Sequence, residues 1–139
     1  MTLSRCLEKQ EQLKTLFSSC SDQEEKYLKI IEMGRALPLL KEKTEKDRIL
    51  ECQSLLYLKT EQIEKNLFFK VYSNALISLG LAALLIEIYQ GEPPEVILKC
   101  PPKVLKKIGI ATSFSPGRIN GLNSLYARMR RDACAYLEF

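Results

Sequence analysis

Apolar residues recur at helical intervals over residues 3–17, at Leu3, Cys6, Leu7, Leu13, Leu16 and Phe17, with Glu and Lys between them. This spacing predicts an amphipathic first helix. Ser21-Asp22 followed by Glu24-Glu25 supplies a cap and acidic groups suited to the positive end of a helix dipole, so a second helix is expected to begin there. It should run to about Arg35, with Tyr27, Leu28, Ile30, Ile31 and Leu37 toward a core, and Pro38 stops it. The run Lys41 to Arg48 has mixed charge and no apolar period, and reads as a connector. The period then changes to two. Residues 53–62 and 66–72 predict two strands joined by a turn at Glu64-Lys65, with Leu67, Phe69 and Val71 on the buried side. The short connection makes the pair antiparallel.

Residues 75–89 are apolar nearly all round, which predicts a buried helix, capped by Asn74. Pro94 or Glu95 opens a short helix through Leu98, which Cys100-Pro101-Pro102 cannot continue, and another turn follows at residues 103–108. Ser115 as cap and Pro116 at the first helical position start the last helix. Its stripe is Leu122, Leu125, Tyr126, Met129, Ala133, Tyr136 and Leu137. The expected architecture is therefore a single α+β domain over residues 1–139: two N-terminal helices, a small antiparallel β-sheet completed by a third strand, and a C-terminal helical layer.

Composition narrows the chemistry. The net charge of +4, from 21 basic and 17 acidic residues, is too mild for a nucleic-acid-binding domain. The apolar run from Ala75 to Ile86 is interrupted by Ser78 and Gly80 and falls short of the ~18–20 residues that cross a bilayer, so no membrane association is expected. The first eight residues have no long apolar stretch and turn acidic early, unlike a targeting segment, and a cytoplasmic setting is expected. Histidine is absent, which removes Cys-His catalysis and histidine metal sites. The five cysteines are separated by 14, 32, 48 and 34 residues, a pattern of neither a disulfide framework nor a zinc ribbon.

Cys52 stands apart from the other cysteines. Glu51, Gln53 and Ser54 are polar, and the apolar run starts only at Leu55, so the thiol lies between a charged connector and a strand. That junction aims a thiol while leaving it reachable. Lys46 and Arg48 favour its thiolate and Glu51 opposes it. Cys6 falls on the apolar stripe of the first helix, Cys20 just before a cap and Cys100 in a proline turn, all positions that suit packing. Arg118 occupies the first turn of the last helix, where the dipole disfavours a cation. Either an ion pair or an electropositive spot near the cysteine accounts for it. Arg128, Arg130 and Arg131 read as a solvated face, with an RNA-contacting patch as the alternative.

The segment from Arg48 to Leu58 resembles the signature of the SufE family of sulfur acceptors, an Arg-hydrophobe-x-Gly-Cys-Gln-Ser run ahead of a strand; here it carries Cys52-Gln53-Ser54. Three further blocks resemble the family in order and spacing: Phe17 to Leu40 with Gly34-Arg35-Ala36-Leu37-Pro38, Ala75 to Glu92 with Gly80-Leu81-Ala82-Ala83, and Ser115-Pro116-Gly117-Arg118-Ile119-Asn120-Gly121-Leu122. Glu51 replaces the family's usual Gly, and Asn74 its usual Asp. The resemblance implies a SufE/IscU-like fold and a sulfur carrier. Cys52 would take sulfur as a persulfide from a SufS-type cysteine desulfurase, stimulate that enzyme, and pass the sulfur to the SufBCD scaffold for iron-sulfur cluster assembly. Arg118, Arg48, Gln53 and Ser54 would support it. No cofactor or metal of its own is implied, since the pyridoxal phosphate belongs to the partner, and the chain would be a monomer or weak homodimer. The alternative is a noncatalytic adaptor that activates a desulfurase without carrying sulfur.

Overall fold

The structure, a computed structural model, describes residues 2–50 and 54–137. The helix α1 (Ser4–Ser18) buries Cys6, Gln10, Leu13 and Phe17. That stripe is narrower than the sequence suggests, because Gln10 occupies one of its positions while Leu7 and Leu16 turn outward. α2 (Gln23–Arg35) starts as its residues dictate. Asp22 Oδ1 accepts from the Glu25 N–H at 2.9 Å and Glu25 Oε2 accepts from the Ser21 N–H at 2.7 Å, a reciprocal cap that satisfies donors a helix start leaves open. Ile30 is buried, but Leu28, expected in the core, is largely exposed: the helix shows its neighbours only one side.

β1 (Leu56–Ile63) and β2 (Asn66–Ser73) form an antiparallel hairpin turning at Glu64-Lys65. Glu64 has a positive φ of 59°, the left-handed conformation that tight hairpins require. Leu67, Phe69 and Val71 are buried as their alternation demands. The expected third strand is not formed among the described residues. Single bridges take its place, Leu39 with Val71, Leu67 with Glu92 and Arg48 with Tyr57. The Gln90 side chain also lies along β2, its Oε1 accepting from the Phe69 N–H at 2.7 Å and its Nε2 donating to the Phe69 carbonyl at 3.2 Å. The edge groups are satisfied piecemeal, so no further strand is needed to satisfy them.

α3 (Leu76–Tyr89) is the centre of the core, with Leu79 to Ile86, Ile88 and Tyr89 buried. α2 crosses it at two glycines. A methyl at Gly34 would stand 2.7 Å from the Gly80 backbone nitrogen, and one at Gly80 would strike the Ile30 carbonyl, so the two backbones touch where only hydrogen fits. Short helices α4 (Pro94–Lys99), α5 (Val104–Lys107) and α6 (Ile110–Ser113) follow, the last of them unforeseen. The long α7 (Pro116–Leu137) closes the core with Leu122, Leu125, Met129 and Ala133. Among the described residues, seven α-helices and a two-stranded antiparallel sheet make the chain α+β, as expected.

Candidate functional site

The chain around the Cys-Gln-Ser run is held at its base. The Ile49 N–H donates to the Leu56 carbonyl at 2.8 Å, and Arg48 pairs with Tyr57 as an antiparallel bridge. Residues 50–55 therefore connect two positions that are hydrogen-bonded to each other. Glu51, Cys52 and Gln53 lie outside the described residues. The described shoulders are Leu50, which is 72 % exposed, and Ser54 and Leu55, which are partly to fairly exposed. With so few residues between them, a backbone pair holds these two ends together at small entropic cost.

Two side chains fasten these shoulders, and sequence reasoning gave neither that role. Arg128 of α7 donates from Nη1 to the Lys46 carbonyl at 3.2 Å and from Nη2 to the Arg48 carbonyl at 3.0 Å. It is thus a clamp on the incoming strand of chain and not a freely solvated cation. Its place three residues after Leu125 and one before Met129, at the border of the buried stripe, was the signal available. On the outgoing side, Asn74 Oδ1 accepts from the Leu55 N–H at 3.2 Å. Asn74 is therefore not the cap of α3, as expected; the capping position is Ala75, with no side-chain bond, and the Ser73 Oγ accepts from the Ala75 N–H instead. β2 runs one residue further than the sequence suggests and α3 starts one residue later, which leaves Asn74 free to reach across to Leu55.

Among the supporting residues, Arg48 and Ser54 are brought to opposite shoulders of the segment. The Arg48 guanidinium stands 3.8 Å from Glu45, a partly exposed pair of small energetic weight. Gln53 is outside the described residues. Arg118 forms no ion pair among the described residues. Its Nη1 donates to Ser78 Oγ on α3 at 3.2 Å, and its backbone N–H reaches the capping Ser115 Oγ at 3.4 Å. Arg118, Ser78 and Leu56 share the wall of a recess of only about 10 Å³, room for a single water at most. The guanidinium is thus fixed beside the start of β1, whose first residue, Leu56, lies four residues beyond Cys52 in sequence. A larger open groove of about 450 Å³ runs between Ile49-Leu50 and the α7 side chains Ser124, Ala127, Arg128 and Arg131.

The remaining thiols differ in access. Cys6 and Cys100 are buried, and the Gln10 amide donates to both sulfurs, at 3.6 and 3.4 Å. Burial, reinforced by the neighbouring Cys100, pushes the Cys6 thiol up to about 12, so it stays protonated and inert at neutral pH. Cys20 is half-buried and Cys134, on α7, is exposed. No group of three His, Cys, Asp or Glu side chains able to hold a metal ion occurs among the described residues, and no helix among them is long and apolar enough to cross a membrane.

The described shoulders of this segment are fastened by Arg128 of α7 on one side and by Asn74, just before α3, on the other. Residues 11–133 match the family described as SufE, Fe-S metabolism associated domain, and the chain belongs to that family. It is 35 % identical over 122 residues to the cysteine desulfuration protein SufE of Wigglesworthia glossinidia brevipalpis, with 84 % of each chain covered. It is 32 % identical over 124 residues to an uncharacterised SufE-like protein of Rhizobium etli, again with 84 % of each covered. A solution structure of a hypothetical protein from Thermus thermophilus superposes with a TM-score of 0.78 at 24 % identity, covering 93 % of this chain and 96 % of that one. That likeness bears on the fold.

Proposed function

We propose that this chain accepts sulfur from a SufS-type cysteine desulfurase onto Cys52, stimulates that enzyme, and releases the sulfur to a SufBCD scaffold. The observation that supports this most directly is the hydrogen bond between Ile49 and Leu56, which ties together the two ends of the stretch that carries Cys52, with Arg128 and Asn74 fastening its described shoulders. Membership in a family of iron-sulfur metabolism supplies the context.

The chemistry is thiol exchange at a persulfide. The Cys52 thiolate attacks the outer sulfur of the desulfurase persulfide; the donor's S–S bond breaks as a new S–S bond forms, and the donor cysteine leaves as a thiolate. Delivery repeats the exchange: an acceptor thiolate attacks the outer sulfur, the S–S bond to Cys52 breaks as the new one forms, and Cys52 leaves as a thiolate. Pyridoxal phosphate stays with the desulfurase, which frees sulfur from cysteine. With no histidine in the chain, deprotonation of Cys52 relies on nearby cations and on groups of the partner. Arg118, held by Ser78, and Arg48 are among the cations this chain offers near the described shoulders, with Arg128 and Arg131 beside Ile49-Leu50, and Gln53 and Ser54 offer polar contacts.

The test is peptide mass spectrometry after incubation with a cysteine desulfurase and cysteine, comparing the wild type with Cys52→Ser. One added sulfur atom on Cys52, absent from the variant and from the exposed Cys134, is the expected result. Full stimulation of the desulfurase by Cys52→Ser, with no sulfur on Cys52 of the wild type, would replace carriage by the adaptor role.

A further inference from the structure

The modest net charge hides a strong segregation. From Val96 to Arg131 the chain carries eight basic residues and no acidic one, while the rest of it carries 13 basic and 17 acidic residues. Half of these eight cations, Lys99, Lys103, Lys106 and Lys107, fall on α4, α5 and the turn between them, and none of them has a carboxylate partner among the described residues. A fold gains nothing from clustering unpaired exposed lysines, because like charges repel.

These lysines border a concavity. Between α1 and the α4–α5 turn lies a groove of about 310 Å³, with Lys14, Lys99, Lys103 and Lys107 among its lining residues. Its apolar wall is offered by Leu7, which is 54 % exposed, the half-buried Leu3 and the exposed Pro101. The single acid in its lining, among the described residues, is Glu11. The floor is rigid, because Gln10 spends its side chain inside the protein: Nε2 donates to the Pro101 carbonyl at 3.1 Å and Oε1 accepts from the Val104 N–H at 3.1 Å. A preformed apolar trough with a cationic rim suits a ligand that is apolar along its middle and acidic at its edges.

We infer that the α1–α5 groove is a docking site for an acidic amphipathic segment of a protein partner, its apolar side chains against Leu3, Leu7 and Pro101 and its carboxylates toward Lys14, Lys99, Lys103 and Lys107. The shape and lining choose among polyanions. No aromatic side chain among the described residues lines the groove, so it has no platform on which nucleic-acid bases stack. Its apolar residues lie in a hollow, whereas a membrane surface is met by a protruding apolar face. The site is also remote from the cysteine segment. Ser78, which holds Arg118, is near one end of α3, and Tyr89, whose hydroxyl donates to the Cys100 carbonyl of the groove, is at the other. The helix between them rises roughly 16 Å. A partner held here leaves Arg118 and the start of β1 uncovered, and the inference stands whether or not Cys52 carries sulfur.

The experiment titrates the 139-residue chain into a fluorescein-labelled helical peptide bearing Leu along one face and Glu along both flanks, read by anisotropy, with amide chemical shifts to map the contact. Wild-type protein is expected to bind, with shifts confined to α1 and the α4–α5 region. Lys103→Glu with Lys107→Glu, both at exposed positions, should weaken binding by about tenfold or more, as should Glu→Gln throughout the peptide. Lys41→Glu with Lys43→Glu, on the distant connector, should leave it unchanged. Circular dichroism verifies that each variant is folded. Equal binding by the charge-reversed protein, or shifts elsewhere, would overturn the proposal. So would tighter binding of single-stranded RNA or of phosphatidylglycerol vesicles to the same residues, since either would assign the groove to another class of ligand.

Discussion

Removing the Arg128 guanidinium should loosen the segment that leads to Cys52 while leaving the core intact. Its two hydrogen bonds run to the Lys46 and Arg48 carbonyls. Bonds from a charged donor are worth about 1.5–3 kcal/mol each where water is excluded, but Arg128 is half-exposed, and solvent screening reduces the pair to about 1–2 kcal/mol together. At 1.4 kcal/mol per factor of ten, local opening should rise roughly 5- to 30-fold. Arg128→Met is the cleanest perturbation, since it keeps an apolar stem against α7. The reporter is native-state exchange of the Ile49 amide, which bonds the Leu56 carbonyl at the loop base, with the buried Leu84 amide as a measure of global opening. Ile49 should exchange faster by that factor and Leu84 only slightly so. Arg128→Lys, with a single terminal nitrogen for two carbonyls, should fall between. Unchanged Ile49 protection in Arg128→Met, or equal acceleration at Leu84, would refute the idea of a local clamp.

Asn74→Ala removes the acceptor of the Leu55 N–H, and alkylation of Cys52 by iodoacetamide should quicken a few-fold, about the effect of one exposed hydrogen bond; an unchanged rate would deny that the outgoing shoulder governs access. Gly80→Ala should lower the urea-unfolding free energy by at least about 1 kcal/mol, because a methyl against the Ile30 backbone costs more than the ~1 kcal/mol alanine gains in a helix. Cys6, with its thiol pushed up to about 12 by burial, should resist a disulfide reagent in the native protein. Since the folded value lies above the ordinary one, the native state holds its proton longer than the unfolded chain. Its contribution to stability is complete below about 9 and declines as the pH climbs toward 12, which denaturation midpoints compared between wild type and Cys6→Ala would reveal as a shallower alkaline loss in the variant. Arg118→Ala should diminish desulfurase stimulation more than it lowers thermal stability, since the lost contact is one bond to Ser78; an equal fall in both would mark Arg118 as merely structural.

Local chemistry carried much of this fold into the sequence. Asp22 and Glu25 announce α2, the alternation of Leu67, Phe69 and Val71 gives the buried face of β2, and the unbroken apolar run of α3 marks it as the core helix. What escaped depends on contacts distant in sequence. Gln10 sits in a buried stripe because Val104 and Pro101, more than ninety residues on, satisfy its amide. Asn74 looks like a cap by type, but it bonds a residue nineteen positions earlier. Arg128 shares the composition of a solvated arginine cluster and is separated from it only by which carbonyls come within reach. The cysteine was the reverse case, conspicuous in the sequence by its polar neighbours, with its shoulders set by long-range bonds.

The two-stranded sheet has one more consequence, for how this protein can meet others. On β2, the outward backbone groups of Leu67 and Phe69 and the Val71 carbonyl are all taken, by Glu92, Gly91, the Gln90 amide and Leu40. On β1, the Leu56 carbonyl is taken by Ile49 and the Thr60 carbonyl by the Tyr136 hydroxyl. A small sheet with open flanks recruits strands from neighbouring molecules, which is the route to both strand-addition complexes and aggregates. Here a glutamine side chain and short pieces of loop occupy that template, so association through a borrowed strand is blocked at these positions. Contact with other molecules is thereby left to side chains and loops, the sheet being chemically silent at these positions.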